Sequence, residues 1–174
     1  MSADKKVSAL NGLLTRGMCV SASVDIPERV LEEVFGVSSE LMDAQARLAH
    51  RAAQRIGRVT GFNGTVAHML AAMFTSLGQD IACVHESSLA RVDFVRRCDH
   101  VDGGVTASLH MPSLVVGTVG GGTSLPTQRE CLEIIDCSGI GKVRKLAEII
   151  CGYCLALELA TFAKKINQNL DDVM

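Results

Sequence analysis

Residues Met111-Pro112-Ser113-Leu114-Val115-Val116-Gly117-Thr118-Val119-Gly120-Gly121-Gly122-Thr123 pass from a short apolar stretch straight into three consecutive glycines. The pattern reads as a buried strand feeding a loop without Cβ atoms, over which a ligand or a second backbone can approach main-chain N–H groups. A plain buried turn fits the same residues. Other groups capable of chemistry are scattered. Asp4, Lys5 and Lys6 form a charged cluster that, taken alone, is a solvated one, and Asp80 after Gly78-Gln79 reads as a polar loop residue at a helix end. Of the five histidines, His50, His100 and His110 read as surface or strand-end residues, and His85 is a weak candidate. His68 lies within a helical pattern, where an ordinary pKa near ~6.5 would suit acid or base work; a hydrogen-bonded core histidine is the other reading. Cys151 and Cys154 form a CxxC whose i, i+3 spacing puts both on one helical face. No second pair or nearby histidine completes a zinc set, so both are expected in the core and no metal is expected.

The elements that must position these groups alternate along the chain. Residues 18–26 alternate with period two and predict a half-buried strand, and Pro27 opens a short helix. Apolar Leu41, Met42, Ala46, Ala49 and Ala53 predict a helix over about 38–56 with Ser38 or Ser39 as N-cap, and a second runs over about 63–77 and stops at Gly78. Segments 90–95 and 105–110 flank Asp102-Gly103-Gly104 as in a hairpin, followed by a strand over 111–118. A short helix over 127–135 and a long one over about 143–167 complete the chain. Without a strict βαβ repeat the fold class is α+β, with long helices on a mixed or antiparallel sheet.

At 174 residues and 48% hydrophobic content the chain suits one compact domain, 1–174. A net charge of −2 without a basic stretch argues against nucleic acid or an anionic membrane as partner. No apolar run reaches the ~20 residues that span a bilayer. Seven irregularly spaced cysteines suit reduced thiols, so a soluble, cytoplasmic protein is expected.

Four segments together resemble the hydroxymethylglutaryl-CoA reductase family. Asp4-Lys5-Lys6-Val7-Ser8-Ala9-Leu10-Asn11 is similar to its DKKxxAxN segment; Gly78-Gln79-Asp80 with Glu86-Ser87-Ser88 to GQDxAQxxESS; the Gly120-Gly121-Gly122 loop with Leu125-Pro126-Thr127-Gln128 to its Gly-rich signature; and Ile150-Cys151-Gly152 to Glu158-Leu159 to IVCGxxxAxEL. All four keep the family's order. The resemblance implies NADPH-dependent reduction of a CoA thioester in mevalonate and isoprenoid metabolism, by a fold like the family's large substrate-binding domain. It assigns Lys5 as the catalytic lysine on the thioester oxygen, where an ammonium stabilises developing negative charge, and Asp80 as the neighbour that keeps Lys5 charged. Asp4, Lys6 and Asn11 fall on the substrate side, and Gly78, Gln79, Gly120, Gly121 and Gly122 near the nicotinamide end of the cofactor. His68, on the helix of a substrate-contacting asparagine, is expected to face Lys5 and Asp80. The family builds its sites at subunit interfaces, so at least a homodimer is implied.

Departures from the pattern matter as much. The family's ENVIG glutamate and the nucleotide-binding subdomain would precede Met1, and its C-terminal histidine falls at Met174. The lysine that holds the substrate carboxylate falls on Leu48, with Arg47 or Arg51 as imperfect substitutes, and the HxxN motif reads Thr65-Val66-Ala67-His68. These changes imply a reductase incomplete on its own. Two alternatives stay open: an enzyme repurposed for cofactor-independent chemistry on a carbonyl substrate with Lys5 and Asp80, and a catalytically silent dimeric scaffold.

Overall fold

A computed structural model describes residues 5–7, 14–55, 62–98 and 103–171. Strand β1 (Met18–Ile26) leads into a single turn, α1 (Glu28–Val30), that widens into a π-turn over Leu31–Phe35 and stops at Gly36 in the left-handed region. Helices α2 (Ser39–Arg55) and α3 (Val66–Ser76) follow. A 3₁₀ turn (Ile81–Cys83) and α4 (Val84–Ser87) then lead into β2 (Arg91–Arg96) and β3 (Val105–Leu114), and a 3₁₀ turn over Gly121–Ser124 precedes α5 (Pro126–Ile134) and α6 (Val143–Asp171). The described strands form one antiparallel sheet in the order β1-β3-β2. The fold is α+β, as the interleaved patterns predict.

Each boundary has a local cause. The Ser38 hydroxyl accepts the Leu41 N–H and caps α2. Helix α3 begins three residues later than its periodicity predicts, because Phe62 bridges to Arg91 beside β2 while the Asn63 side-chain amide donates to the Ser88 and Ala90 carbonyls. The chain from 62 to 65 is thus drawn to the sheet before it can coil. The separate strand expected over 111–118 is not found: residues 105–114 form one strand, and 115–118 leave it. Proline in a central strand normally removes a ladder hydrogen bond. Here β2 pairs only as far as His110, and β1 shifts register between Met18 and Val20, opposite Pro112. A bulge therefore sits where the missing N–H would otherwise break pairing.

One face of the sheet, with Val105, Ala107, Leu109, Met111, Val92 and Phe94, is buried against α6 and α2. By length and apolar composition α6 is the one described helix long enough to cross a bilayer, but half of its apolar stretch is buried against β1, β3 and α3. That is the position of a core helix. Cys151 and Cys154 are fully buried on it, and burial pushes their thiols up to about 11 and about 12.

Candidate functional site

The C-terminal end of α3 and the exit of β3 meet backbone on backbone. Gly78 has φ +67°, and a Cβ there would stand 2.3 Å from the Gly122 carbonyl oxygen; one on Gly122 would stand 2.8 Å from the Gly78 oxygen. Only glycine at both positions lets these loops touch. The segment between β3 and the glycines is pinned by side chains. The Val115 N–H donates to the Ser87 hydroxyl at 3.0 Å, and the Thr118 hydroxyl donates to the Gly139 carbonyl at 2.6 Å. Gln79 accepts the Gly117 N–H at 2.8 Å and donates to the carbonyls of Gly117 and Leu77, both at 2.9 Å. Its amide therefore acts as a clamp on the loop.

Between these loops opens a cleft of about 610 Å³, walled by Phe74, Val116, Val119 and Leu125 and floored by Gly120 and Gly121. Both glycines have positive φ, and a Cβ on either would meet nothing within 4 Å. Their backbone is open to a ligand. Asp80 stands on the rim and accepts the Lys5 ammonium at 2.5 Å, with both side chains close to half exposed. Its second oxygen accepts the Ala82 N–H at 3.1 Å and caps the 3₁₀ turn that follows. The Lys5 ammonium, and after it the Ala82 N–H, hold the Asp80 carboxyl below the usual carboxylate range. Behind the rim, Glu86 is buried and its carboxylate receives the Arg16 guanidinium, while burial raises the neighbouring Cys83 thiol.

The structure thus brings together Lys5, Asp80, Gly78, Gln79, Gly120, Gly121 and Gly122. Asp4 and Asn11 lie outside the described residues; Lys6 is described and exposed. His68 is not brought to this site within the chain. It is exposed on the first turn of α3, whereas Asp80 follows the last. From His68 to the helix end at Ser76 the rise is about 12 Å along the axis, and Asp80 lies beyond that end. Within one chain His68 therefore does not face Lys5 and Asp80, because the length of α3 separates them. His50 is no surface residue either: half-buried, it packs edge-on against Phe62 and bonds the Val92 carbonyl.

The opposite end of α3 carries a group that sequence reasoning missed. Glu158 of α6 is 4% exposed, and its carboxylate accepts the N–H groups of Gly64 and Thr65 and the Thr65 hydroxyl. Four unpaired N–H groups open every helix, and here a carboxylate from another helix meets that end of α3. The signal was present in the Glu158-Leu159 ending of the fourth segment, which was read as helix only. Beside it lies a second cavity, of about 260 Å³, lined by Ala49, Phe62, Val92, Thr161, Phe162 and Lys165 among others.

Comparison with known proteins agrees with the order of the motifs. A family model for hydroxymethylglutaryl-coenzyme A reductase matches residues 1–170. The 3-hydroxy-3-methylglutaryl-coenzyme A reductase of Halobacterium salinarum is 38% identical over 173 residues, 96% of this chain and 42% of that protein. That of Methanocaldococcus jannaschii is 35% identical over 157 residues, 90% of this chain and 38% of the relative. For the reductase of Schistosoma mansoni the figures are 37% over 169 residues, 94% and 17%. The chain spans about two fifths of the length of the archaeal relatives it matches. On a match that runs through all but the last few of its residues, the chain belongs to the hydroxymethylglutaryl-coenzyme A reductase family.

Proposed function

We propose that this chain carries the lysine and aspartate half of a site for NADPH-dependent reduction of a hydroxymethylglutaryl-CoA-like thioester. The observation that carries the reading is the Lys5–Asp80 ion pair on the rim of the glycine-floored cleft. The ammonium is positioned to hydrogen-bond a thioester oxygen and to stabilise the negative charge that reduction places there. Asp80 keeps that ammonium in its charged form.

The cleft fits one part of the cofactor. Its walls are apolar, its floor lacks Cβ atoms, and no lysine or arginine is among the residues that line it. That suits the uncharged nicotinamide end, while the Lys5 ammonium on the rim is engaged by Asp80. Bound there, NADPH would supply hydride; Gly120 and Gly121 would offer it bare backbone, and Gln79 would fix the loop that bears them.

The same geometry supports a homodimer. The resemblance sets the acyl carboxylate of the substrate near position 48 and its thioester near Lys5, on elements that meet opposite ends of α3. A helix of 11 residues is about 16 Å long, further than a five-carbon acyl chain reaches. Lys5 and Asp80 of one protomer would then act with the α2–α6 side of its partner.

The test is NADPH oxidation dependent on hydroxymethylglutaryl-CoA, with Lys5→Ala beside the wild type. The isolated chain is expected to be slow, by the ~10² to 10⁴ that each missing general acid is worth. Lys5→Ala should abolish what remains, with an unchanged circular dichroism spectrum. Equal rates for the two proteins would refute the assignment.

A further inference from the structure

We infer that Lys165 is the carboxylate-binding cation of the cavity between α2 and α6, and that it takes the role that a lysine at position 48 would otherwise fill. Glu158, Thr161, Phe162 and Lys165 follow one another at i, i+3, i+4 and i+7, so α6 presents them as one stripe. Phe162, stacked on Phe94 with ring centroids 4.7 Å apart, gives the stripe a rigid apolar wall. The cavity of about 260 Å³ is smaller than the ~300 to 1,000 Å³ that holds drug-sized ligands. It suits an aliphatic fragment of a few carbons. An adjoining hollow of about 340 Å³ extends it along α2 past Gln45, Leu48 and Ala52, and Lys165 lines both.

The charges near this cavity are unevenly partnered. Glu158, its acidic residue, points its oxygens at Gly64 and Thr65, where the N-terminal end of α3 offers N–H donors and partial positive charge. The Lys165 ammonium lies 3.4 Å from the position a Gly64 Cβ would take, yet it has no hydrogen bond or ion pair among the described residues. No arginine lines either hollow, and Arg47 is held by Asp43 at 2.8 Å on the outer side of α2. Leu48, 56% exposed, therefore leaves an apolar gap in α2 that faces a single ammonium from α6. A small molecule that joins a few methylenes to a terminal carboxylate matches both features. A Cβ at Gly64 would stand 3.4 Å from the Lys165 ammonium and 3.7 Å from Glu158 Oε2, so the ligand carboxylate must approach the ammonium from the Leu48 side, away from Glu158.

This inference deepens the reductase reading by naming the residue that holds the acyl carboxylate, and it can fail separately. Glutarate is the probe, because it carries two carboxylates on a short chain, has no thioester and needs no nicotinamide. Titrated into ¹⁵N-labelled full-length chain, it should shift the amides of Gly64 and Thr161 saturably. Lys165→Met should weaken binding about tenfold or more, the loss expected for one charge-assisted hydrogen bond. Adding Leu48→Lys to Lys165→Met should restore most of it, since the second ammonium enters the same hollow from α2. Both side chains are exposed, so neither variant threatens the fold. No saturable shift in the wild type, or an unchanged affinity in Lys165→Met, overturns the inference and leaves the Lys5–Asp80 reading standing. Equal NADPH oxidation by wild type and Lys5→Ala would do the reverse.

Discussion

Replacing Glu158 by alanine isolates what α6 does for α3. The side chain is 4% exposed and its carboxylate accepts two backbone N–H groups and one hydroxyl. Hydrogen bonds to a charged group contribute about 1.5 to 3 kcal/mol each, so a plain sum would reach about 5 to 9 kcal/mol. That sum overshoots, because Gly64 is exposed and admits water to its own N–H, and the Thr65 hydroxyl can turn to solvent. What stays is roughly one buried donor without a partner and the lost interaction with the helix terminus, about 3 kcal/mol together. For a domain of this length each kcal/mol moves Tm by about 2 to 4 °C, which gives a fall of about 6 to 12 °C. Glu158→Gln, which keeps one acceptor oxygen, should lose about half as much. Differential scanning calorimetry measures both, and hydrogen exchange should show the amide of Thr65, whose acceptor is removed, and those of His68 and Met69, bonded to the Thr65 carbonyl, losing protection first. A fall of less than about 2 °C in Glu158→Ala would mean that the carboxylate does not cap α3 in solution.

Two further outcomes follow from glycine packing and from the thiols. Gly78→Ala should destabilise the domain by about 3 kcal/mol or more, because its Cβ would stand 2.3 Å from the Gly122 oxygen at φ +67°. Gly121→Ala, with nothing within 4 Å of its Cβ, should cost only the ~1 to 2 kcal/mol of a left-handed alanine; equal losses in chemical denaturation would refute the backbone contact between the loops. Cys19 and Cys98 are exposed and should react quickly with a thiol reagent, whereas Cys151 and Cys154 should react only on unfolding. Their folded pKa values of about 11 and about 12 lie above that of an unfolded thiol. The stability they contribute is therefore complete below about pH 8.5 and is lost as pH rises towards the folded values, by about 1.4 kcal/mol per pH unit for each thiol. An alkaline limb no less steep in the Cys151→Ala, Cys154→Ala double variant would contradict this.

What the sequence disclosed and what it hid follow from the range of the interactions. Alternation over 18–26 and helical spacing over 38–56 are local patterns, and local patterns survived folding. The glycines after β3 were legible for the same reason, since only glycine tolerates positive φ beside another backbone. Features set by distant partners were hidden. Pro112 and Ser113 together oppose the single Cys19 of β1, so the bulge lies in β3 itself, and that two-to-one register depends on β1, about ninety residues earlier in the chain. Gln79 was read as part of the cofactor side because its motif is; its amide is taken up by Gly117 and Leu77, 38 and 2 residues away in sequence. Lys165 reads in sequence only as half of the basic pair Lys164-Lys165, and that it lines one hollow with Leu48 depends on how α2 and α6 pack.

The hidden features share one cause, which is the position of α3. At its N-terminal end stand Glu158 and the Lys165 cavity; at its C-terminal end stand Gly78, Gln79, Asp80 and the cleft. Neither end is shaped by α3 alone. Glu158 ties the first turn to the core helix, and the Gly78–Gly122 contact ties the last to the exit of the central strand. A shift of α3 along its own axis would therefore disturb both hollows at once, and its fixed length sets how far apart a thioester and an acyl carboxylate must be held within one chain. A small substrate cannot meet that distance. On the readings proposed above, Lys5 and Lys165 act on one molecule from different copies of the chain; the expected outcome is thioester reduction that rises with the dimer fraction in sedimentation, and a rate that does not change with that fraction would refute it.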